Sequence, residues 1–299
     1  MSTFFQFVIE GLTIGSFYAL VALGYTMVYG IIRLINFAHG DLFMVGAFIG
    51  WTGLTALAAA HVPLALALMI TLVASMAVTG ALGLAIERVA YQPLLRAPRL
   101  SILITALGVS LALENGVLLL YGAGFNTYPH VLSHAGFDVQ GVQVTYAQIG
   151  IIVASFALML ALYFFVHRTF VGTAMRALAI DQDAARLMGI DVERLIQLTF
   201  FLGSALAAVA GVMEGLYYTQ INFFMGFVLG LRAFTAAVLG GIGNIPGAMA
   251  GGILIGLLEA FGAGYVSSRW TDVFVFGVLI GVLVIKPTGL FGERVVERM

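Results

Sequence analysis

Apolar residues run along this chain in long blocks, separated by short polar or charged segments. They predict helices near 5–30, 37–60, 63–86, 100–121, 147–167, 195–220, 228–243, 246–265 and 271–286. Most of these blocks approach the roughly 20 residues that a helix needs to cross a bilayer. Helices are the expected element because hydrocarbon offers no partner to a free backbone N–H or C=O. The block at 228–243 is short and rich in glycine, so a re-entrant or broken element is the alternative there to a full crossing.

Within the first block, Gly11, Gly15, Tyr18, Ala22, Tyr25 and Tyr29 recur at steps of three and four, which places them on one helix face. Two readings fit this stripe: close packing, or an amphipathic lining for a route through the membrane. Buried tyrosine hydroxyls need partners in either case. Gly243, Gly247 and Gly251, and again Gly252 and Gly256, keep a step of four that lets helix backbones approach each other. Tight packing is the expected use of most of these glycines.

Composition agrees with the pattern. The 299 residues are 62% hydrophobic and 9% charged, with a mean hydropathy of +1.08. Soluble domains carry about 25% charged residues. The fold class is therefore all-α, a polytopic transmembrane helix bundle of about 8–9 spans in one domain, 1–299, with no room for a separate soluble domain. The net charge of −1 points to no nucleic-acid partner, and membrane lipid is the expected surrounding. Cysteine is absent, which excludes disulfides and thiolate sites. No Lys or Arg precedes the first apolar run, so that run is read as a retained span and not as a cleaved leader.

Basic residues set the orientation. Arg88, Arg96 and Arg99 share one connection, Arg168, Arg176, Arg186 and Arg194 another, and Lys286, Arg294 and Arg298 lie at the C-terminal end, whereas 122–146 holds no Lys or Arg. The three basic groups are expected in the cytoplasm and 122–146 outside. Nine crossings then place the N-terminus outside and the C-terminus inside.

Ionisable residues inside spans are costly and mark either a pairing or a pathway. Glu10 and Glu114 lie near predicted span ends, while Glu214, Arg232 and Glu259 lie deeper. An Arg–Glu pair between neighbouring helices is the simplest expectation for the deeper group. Asn36-Phe37-Ala38-His39-Gly40-Asp41 forms a polar knot between the first two spans, read as a turn or helix break. Tyr18, Tyr25, Asn36 and His39 are the candidates for a translocation path, chosen by position and polarity.

Several chemistries are missing. The only lysine is Lys286, so there is no phosphate loop of the G-x-x-x-x-G-K-[ST] type, and ATP, if it is used, must bind another chain. The histidines His39, His61, His130, His134 and His167 give no zinc-protease spacing, and no G-x-S-x-G elbow occurs. His130 and His134 offer at most a weak pair in the outer loop. No cofactor is expected, and the chain is read as a transporter component and not an enzyme.

The segment Arg168–Arg194 is the long charged interruption of the second half, with four of the 13 basic and four of the 14 acidic residues in 27 positions. The spacing Asp183-Ala184-Ala185 followed by Gly189 suits a short helix stopped by glycine. Arg176, Arg186 and Arg194 offer planar donors to a partner's carboxylates. A solvated connection whose arginines only fix topology is the plainer alternative.

Four segments in order now carry a resemblance: Ala22–Phe48 (ALGYTMVYGIIRLINFAHGDLFMVGAF), Ile86–Leu94 (IERVAYQPL), the Arg168–Arg194 loop, and Leu231–Gly252 (LRAFTAAVLGGIGNIPGAMAGG). Together they resemble the permease subunits of bacterial branched-chain amino-acid ABC importers, of the first-permease, high-affinity leucine/isoleucine/valine type, over nearly the full chain. That resemblance implies an inner-membrane, multi-pass subunit paired with a second homologous permease. It also implies two cytoplasmic ATPase subunits and an extracytoplasmic amino-acid-binding protein.

Importer permeases carry a Glu-Ala-Ala-x-x-x-Gly element that docks on the ATPase. Here it reads Asp183-Ala184-Ala185-Arg186-Leu187-Met188-Gly189, with Asp for Glu and without the Ile-x-Leu-Pro continuation. The resemblance thus implies an ATPase-coupling role for Arg176, Asp181, Asp183, Ala184, Ala185, Arg186 and Gly189. Related permeases for urea, short amides or other amino acids remain an alternative. A stand-alone ion-driven carrier is the alternative from another class, and it predicts inverted repeats that the sequence does not display.

Overall fold

The computed structural model describes residues 2–94, 97–129, 136–139 and 141–292. Arg96, His130, His134, Arg294 and Arg298 lie outside the described residues. Among the described residues there are eleven α-helices and two small strand pairs.

Helices α1 (Ser2–Ile32), α2 (His39–Ala59), α3 (Leu64–Ile86), α4 (Arg99–Tyr121) and α5 (Tyr146–Arg168) follow the predicted blocks. The third continues through a π turn, Glu87–Tyr91, and a 3-10 turn to Leu94. Two short helices, α6 (Phe170–Ile180) and α7 (Gln182–Leu187), occupy the charged segment. Then come α8 (Val192–Tyr218), α9 (Met225–Gly240), α10 (Ile245–Gly262) and α11 (Thr271–Ile285).

Among the described residues, seven stretches are long and apolar enough to cross a membrane, with Ile245–Ile285 counted as one. That last stretch reverses on itself. Leu290 and Phe291, just beyond α11, donate backbone hydrogen bonds to Leu239 and Gly240 at the end of α9 (2.8 and 3.0 Å), and Asn244 at the start of α10 donates to the Phe291 carbonyl (3.1 Å). The C-terminal ends of α9 and α11 and the N-terminal end of α10 therefore meet at one end of the bundle. Separating α10 from α11 and adding α9 gives nine helical passes. At 16 residues α9 is about 24 Å long, short of the roughly 30 Å hydrocarbon thickness. It is continuous over its length. The glycine run after it forms the turn into α10, with Gly241 and Gly243 at φ +103° and +93°.

Helix α1 is the axis of the bundle, buried almost continuously from Gly11 to Val28. A helix that is apolar all round suits such enclosure. The glycines of α10 divide between two partners. Gly252 and Gly256 abut Ala19, Gly15 and Gly11 of α1, whereas Gly247 and Gly251 abut Gly240 and Ala236 of α9. Of the two step-of-four series predicted for close packing, Gly247 and Gly251 serve one face of α10 and Gly252 and Gly256 the other, while Gly243 lies outside the helix in the preceding turn.

The polar knot between α1 and α2 is only partly a turn. Residues 33–38 are non-helical, but His39, Gly40 and Asp41 already belong to α2. Gly40 lies against the backbone of Gly226 and Gly230 in α9, so its lack of a side chain serves helix packing and not a break.

At the opposite end, β1 (Asn126–Thr127) pairs antiparallel with β4 (Gln220–Ile221), and β2 (Gly136–Val139) pairs with β3 (Val142–Thr145). Trp51 Nε1 donates to the Thr127 carbonyl (2.9 Å), and the buried Tyr128 hydroxyl donates to the Ala47 carbonyl (2.8 Å). These bonds seat the 126–128 segment on the ends of α2 and α8.

Candidate functional site

The charged segment folds as two capped helices. Thr169 Oγ1 accepts from Gly172 N (3.0 Å) to start α6. Asp181 Oδ1 accepts from Asp183 N and Ala184 N (2.9 and 3.0 Å) to start α7. An unpaired N-terminal N–H is what such a cap satisfies. At the other end of α7, Ile190 N donates to the Ala185 carbonyl (3.1 Å) and Gly189 N to that of Arg186 (3.0 Å), with Gly189 at φ +82°. This is a Schellman closure. Nothing lies within 4 Å of where a Gly189 Cβ would sit, so the backbone angle and not space calls for glycine there.

Ala185 is 2% exposed and faces inward, which fixes α7 on the bundle. Leu187 and Met188 point the other way, 89% and 83% exposed. Asp181, Asp183, Ala184, Arg186 and Arg176 are also exposed, and Arg176 Nη2 donates to Thr173 Oγ1 (3.3 Å). The result is a projecting knob with an apolar tip and a charged skirt.

Two further contacts tie this end together. Gln182 Nε2 donates to the Ile31 carbonyl at the end of α1 (2.8 Å), and Gln92 Nε2 donates to Glu193 Oε2 (3.2 Å). Gln182, Leu187 and Met188 were not singled out from the sequence. The two apolar residues look like ordinary helix-face positions until the direction of Ala185 is known. Removing the cap in Asp181→Ala is expected to destabilise α7 by roughly 1 kcal/mol. Faster amide hydrogen exchange across 183–188, with α8 unchanged, is the measurement that checks it.

A second polar cluster lies deep in the bundle. Arg232 on α9 donates from Nη1 to Glu259 Oε1 on α10 (2.6 Å) and to the Tyr18 hydroxyl on α1 (3.1 Å). Tyr18 in turn donates to Glu259 Oε2. Arg232 Nε and Nη2 both reach Asp272 Oδ1 on α11 (3.1 and 2.7 Å). Four helices are thus joined through one guanidinium, whose planar fork of donors suits several acceptors at once. The Arg–Glu pair expected between neighbouring helices is present. Asp272 is the member that sequence reading missed, because it sits in the first turn of a helix, where an acidic residue has an ordinary electrostatic use.

Tyr18, Glu214 and Arg232 line one cavity of about 420 Å³, together with residues from the 125 and 220–225 segments. Tyr25, Asn36 and His39 lie elsewhere, in the packed interior. The rings of Tyr25 and His39 meet edge to face, with centroids 4.8 Å apart. Asn36 Oδ1 accepts from the Tyr91 hydroxyl (2.7 Å). The structure therefore brings Tyr18 together with the charged residues and leaves the other three aside. Glu10 is held by Gln6 (3.2 Å) near the start of α1. Among the described residues, no group of three or more His, Asp or Glu side chains could hold a metal ion.

Comparison with known proteins gives this arrangement a context. A family model described as the permease component of the branched-chain amino acid transport system matches residues 7–283. The high-affinity branched-chain amino acid transport system permease protein BraD of Pseudomonas aeruginosa is 46% identical over 301 positions, covering 99% of this chain and 98% of that protein. The corresponding Escherichia coli protein, LivH, is 43% identical over 303 positions, with 99% and 98% covered. A probable branched-chain amino acid transport permease of Methanocaldococcus jannaschii is 28% identical over 297 positions, with 96% and 92% covered. By a match that runs almost from end to end, the chain belongs to the branched-chain amino acid transport permease family.

Proposed function

We propose that this chain is the translocating subunit of an ATP-driven importer for branched-chain amino acids in the bacterial inner membrane. Identity above 40% over nearly the whole length to permeases named for that cargo is the observation that carries the reading. In this proposal a second, homologous permease completes the route, one of two ATPase subunits binds at the α6–α7 knob and the other at the second permease, and a binding protein delivers substrate to the end that carries β1–β4. The C-terminus lies in the cytoplasm with the knob. The chain itself breaks no bond.

The knob suits docking for a physical reason. Exposed apolar side chains at the tip of a rigid, doubly capped element have no use within the chain, and a cleft on a partner would bury them. Arg176, Arg186, Asp181 and Asp183 around them supply the complementary charge that sets register. Closing of the ATPases would then move the knob as a rigid body.

Uptake of labelled leucine into vesicles carrying the chain with its partners and internal ATP tests the reading. ATP-dependent uptake is expected, and uptake by this chain alone on an ion gradient would overturn it. For docking, Leu187→Glu combined with Met188→Glu is expected to lower ATPase association at least tenfold while leaving the melting temperature unchanged, since both side chains already face solvent. Unchanged association would remove the knob from the contact.

A further inference from the structure

The 420 Å³ cavity falls in the size range of small-molecule sites, about 300–1,000 Å³. Its lining is mixed: Ile14, Phe17, Val228 and Leu229 supply an apolar wall area, and Glu214, Tyr18 and Arg232 supply polar groups beside it. Among the residues that line it, Arg232 is the cation, and it is already committed to Glu259 and Asp272. Glu214 lines the cavity, and its Oε2 is buried without a hydrogen-bond partner among the described residues. A buried carboxyl oxygen without a partner is costly, and a donor group entering the cavity that Glu214 lines would satisfy that carboxyl, a charged donor most strongly.

We infer that this cavity is a subsite for a primary ammonium group, with Glu214 as its acceptor and the apolar wall receiving a small branched side chain. The inference deepens the proposed function, on which it rests for the identity of the cargo: an α-amino acid supplies both features. The ammonium offers three donors, so it can engage Glu214 and a neighbouring tyrosine hydroxyl together. Arg232, a donor only, does not bind the ammonium, and its fork is taken up by Glu259 and Asp272 and so is not free for the cargo carboxylate. A cargo carboxylate would lie toward the polar mouth, at Gln220 and Asn222. The mouth is on the side of the β1–β4 pair, opposite the α6–α7 knob.

Binding to the full chain in lipid nanodiscs tests this without any partner. Three ligands of similar shape separate the groups: leucine, 3-methylbutylamine, which lacks the carboxylate, and 4-methylpentanoate, which lacks the ammonium. Leucine and the amine are expected to raise the melting temperature, and the acid is not. Glu214→Gln is expected to weaken both positive responses by about tenfold to a hundredfold, the range for losing a charge-assisted hydrogen bond. Glu214→Asp is expected to restore part of the response.

The inference is overturned if neither leucine nor the amine binds, if the acid binds as well as the amine, if Glu214→Gln binds like the parent, or if sodium chloride alone gives the same shift. Should the Gln variant fail to fold, the three-ligand comparison on the parent and the Asp variant still decides. Leucine uptake by the assembled transporter reports separately on the cargo. A Glu214-dependent response to the amine without leucine uptake would keep the subsite and discard the cargo.

Discussion

Replacing Arg232 with methionine is expected to destabilise the bundle by about 3 kcal/mol, because it leaves Glu259 and Asp272 facing each other without their shared cation. The two carboxylates do not contribute equally. The Glu259 side chain is 13% exposed and that of Asp272 is 59% exposed, so water can rescue Asp272 but not Glu259. The loss therefore comes mainly from the α9–α10 pair. The double substitution Arg232→Met with Glu259→Gln is expected to recover at least half of it, since the orphaned charge goes together with its partner. Thermal unfolding of the four corners of this cycle in nanodiscs measures the coupling, which should exceed 1 kcal/mol for residues in direct contact. Strictly additive losses would mean that the pair contributes nothing jointly.

The second large effect is expected at Gly256. A Cβ placed there would fall within the van der Waals radii of the Gly15 backbone and of the Gly11 carbonyl. Backbone atoms cannot change rotamer to make room, so α1 and α10 would have to separate. Gly256→Val is expected to lower stability by roughly 3 kcal/mol or more, at or beyond the upper end for overpacking. The control is Gly116, within α4 and five residues before its end, where an added Cβ meets nothing within 4 Å. Gly116→Ala is expected to be neutral, or to stabilise by up to about 1 kcal/mol through helix propensity. A loss at Gly116 equal to that at Gly256 would refute backbone contact as the cause.

The spans were legible because lipid enforces long apolar runs, and each predicted block overlaps a helix of the structure to within a few residues at most ends. Their ends shifted where local chemistry overrides hydropathy. The predicted 228–243 block slides to Met225–Gly240 because a turn held by Asn222 Oδ1, which accepts from Phe224 N, precedes its start and Gly241 leaves helical geometry at its finish. Extension of α3 by a π turn had no signature in the pattern, since such a turn changes only the hydrogen-bond register. The strand pairs were equally silent: β1 and β4 are two residues each, too short to show alternation.

At the candidate site, the Asp183–Gly189 spacing marked the knob, and the depth of Glu214, Arg232 and Glu259 marked the intramembrane charges. What the sequence could not convey was pairing at a distance. Tyr18 meets Glu259 across 241 positions, and Gln182 reaches Ile31 across 151. No periodicity encodes such contacts; they exist only once the helices are stacked.

The glycine faces of α10 have a mechanical consequence. Side chains at an ordinary helix interface can absorb a displacement by changing rotamer, whereas touching backbones have no such slack. Because α10 meets α1 on one face and α9 on the other in this way, the three helices act as one stiff strut. Gln182 grips that strut at the Ile31 end, and Tyr18, thirteen residues or about 20 Å further along α1, sits at the cavity wall. A push delivered at α7 would therefore reach the cavity undiminished in length, as a shift of its α1 and α9 wall against Glu214 and Tyr218 of α8.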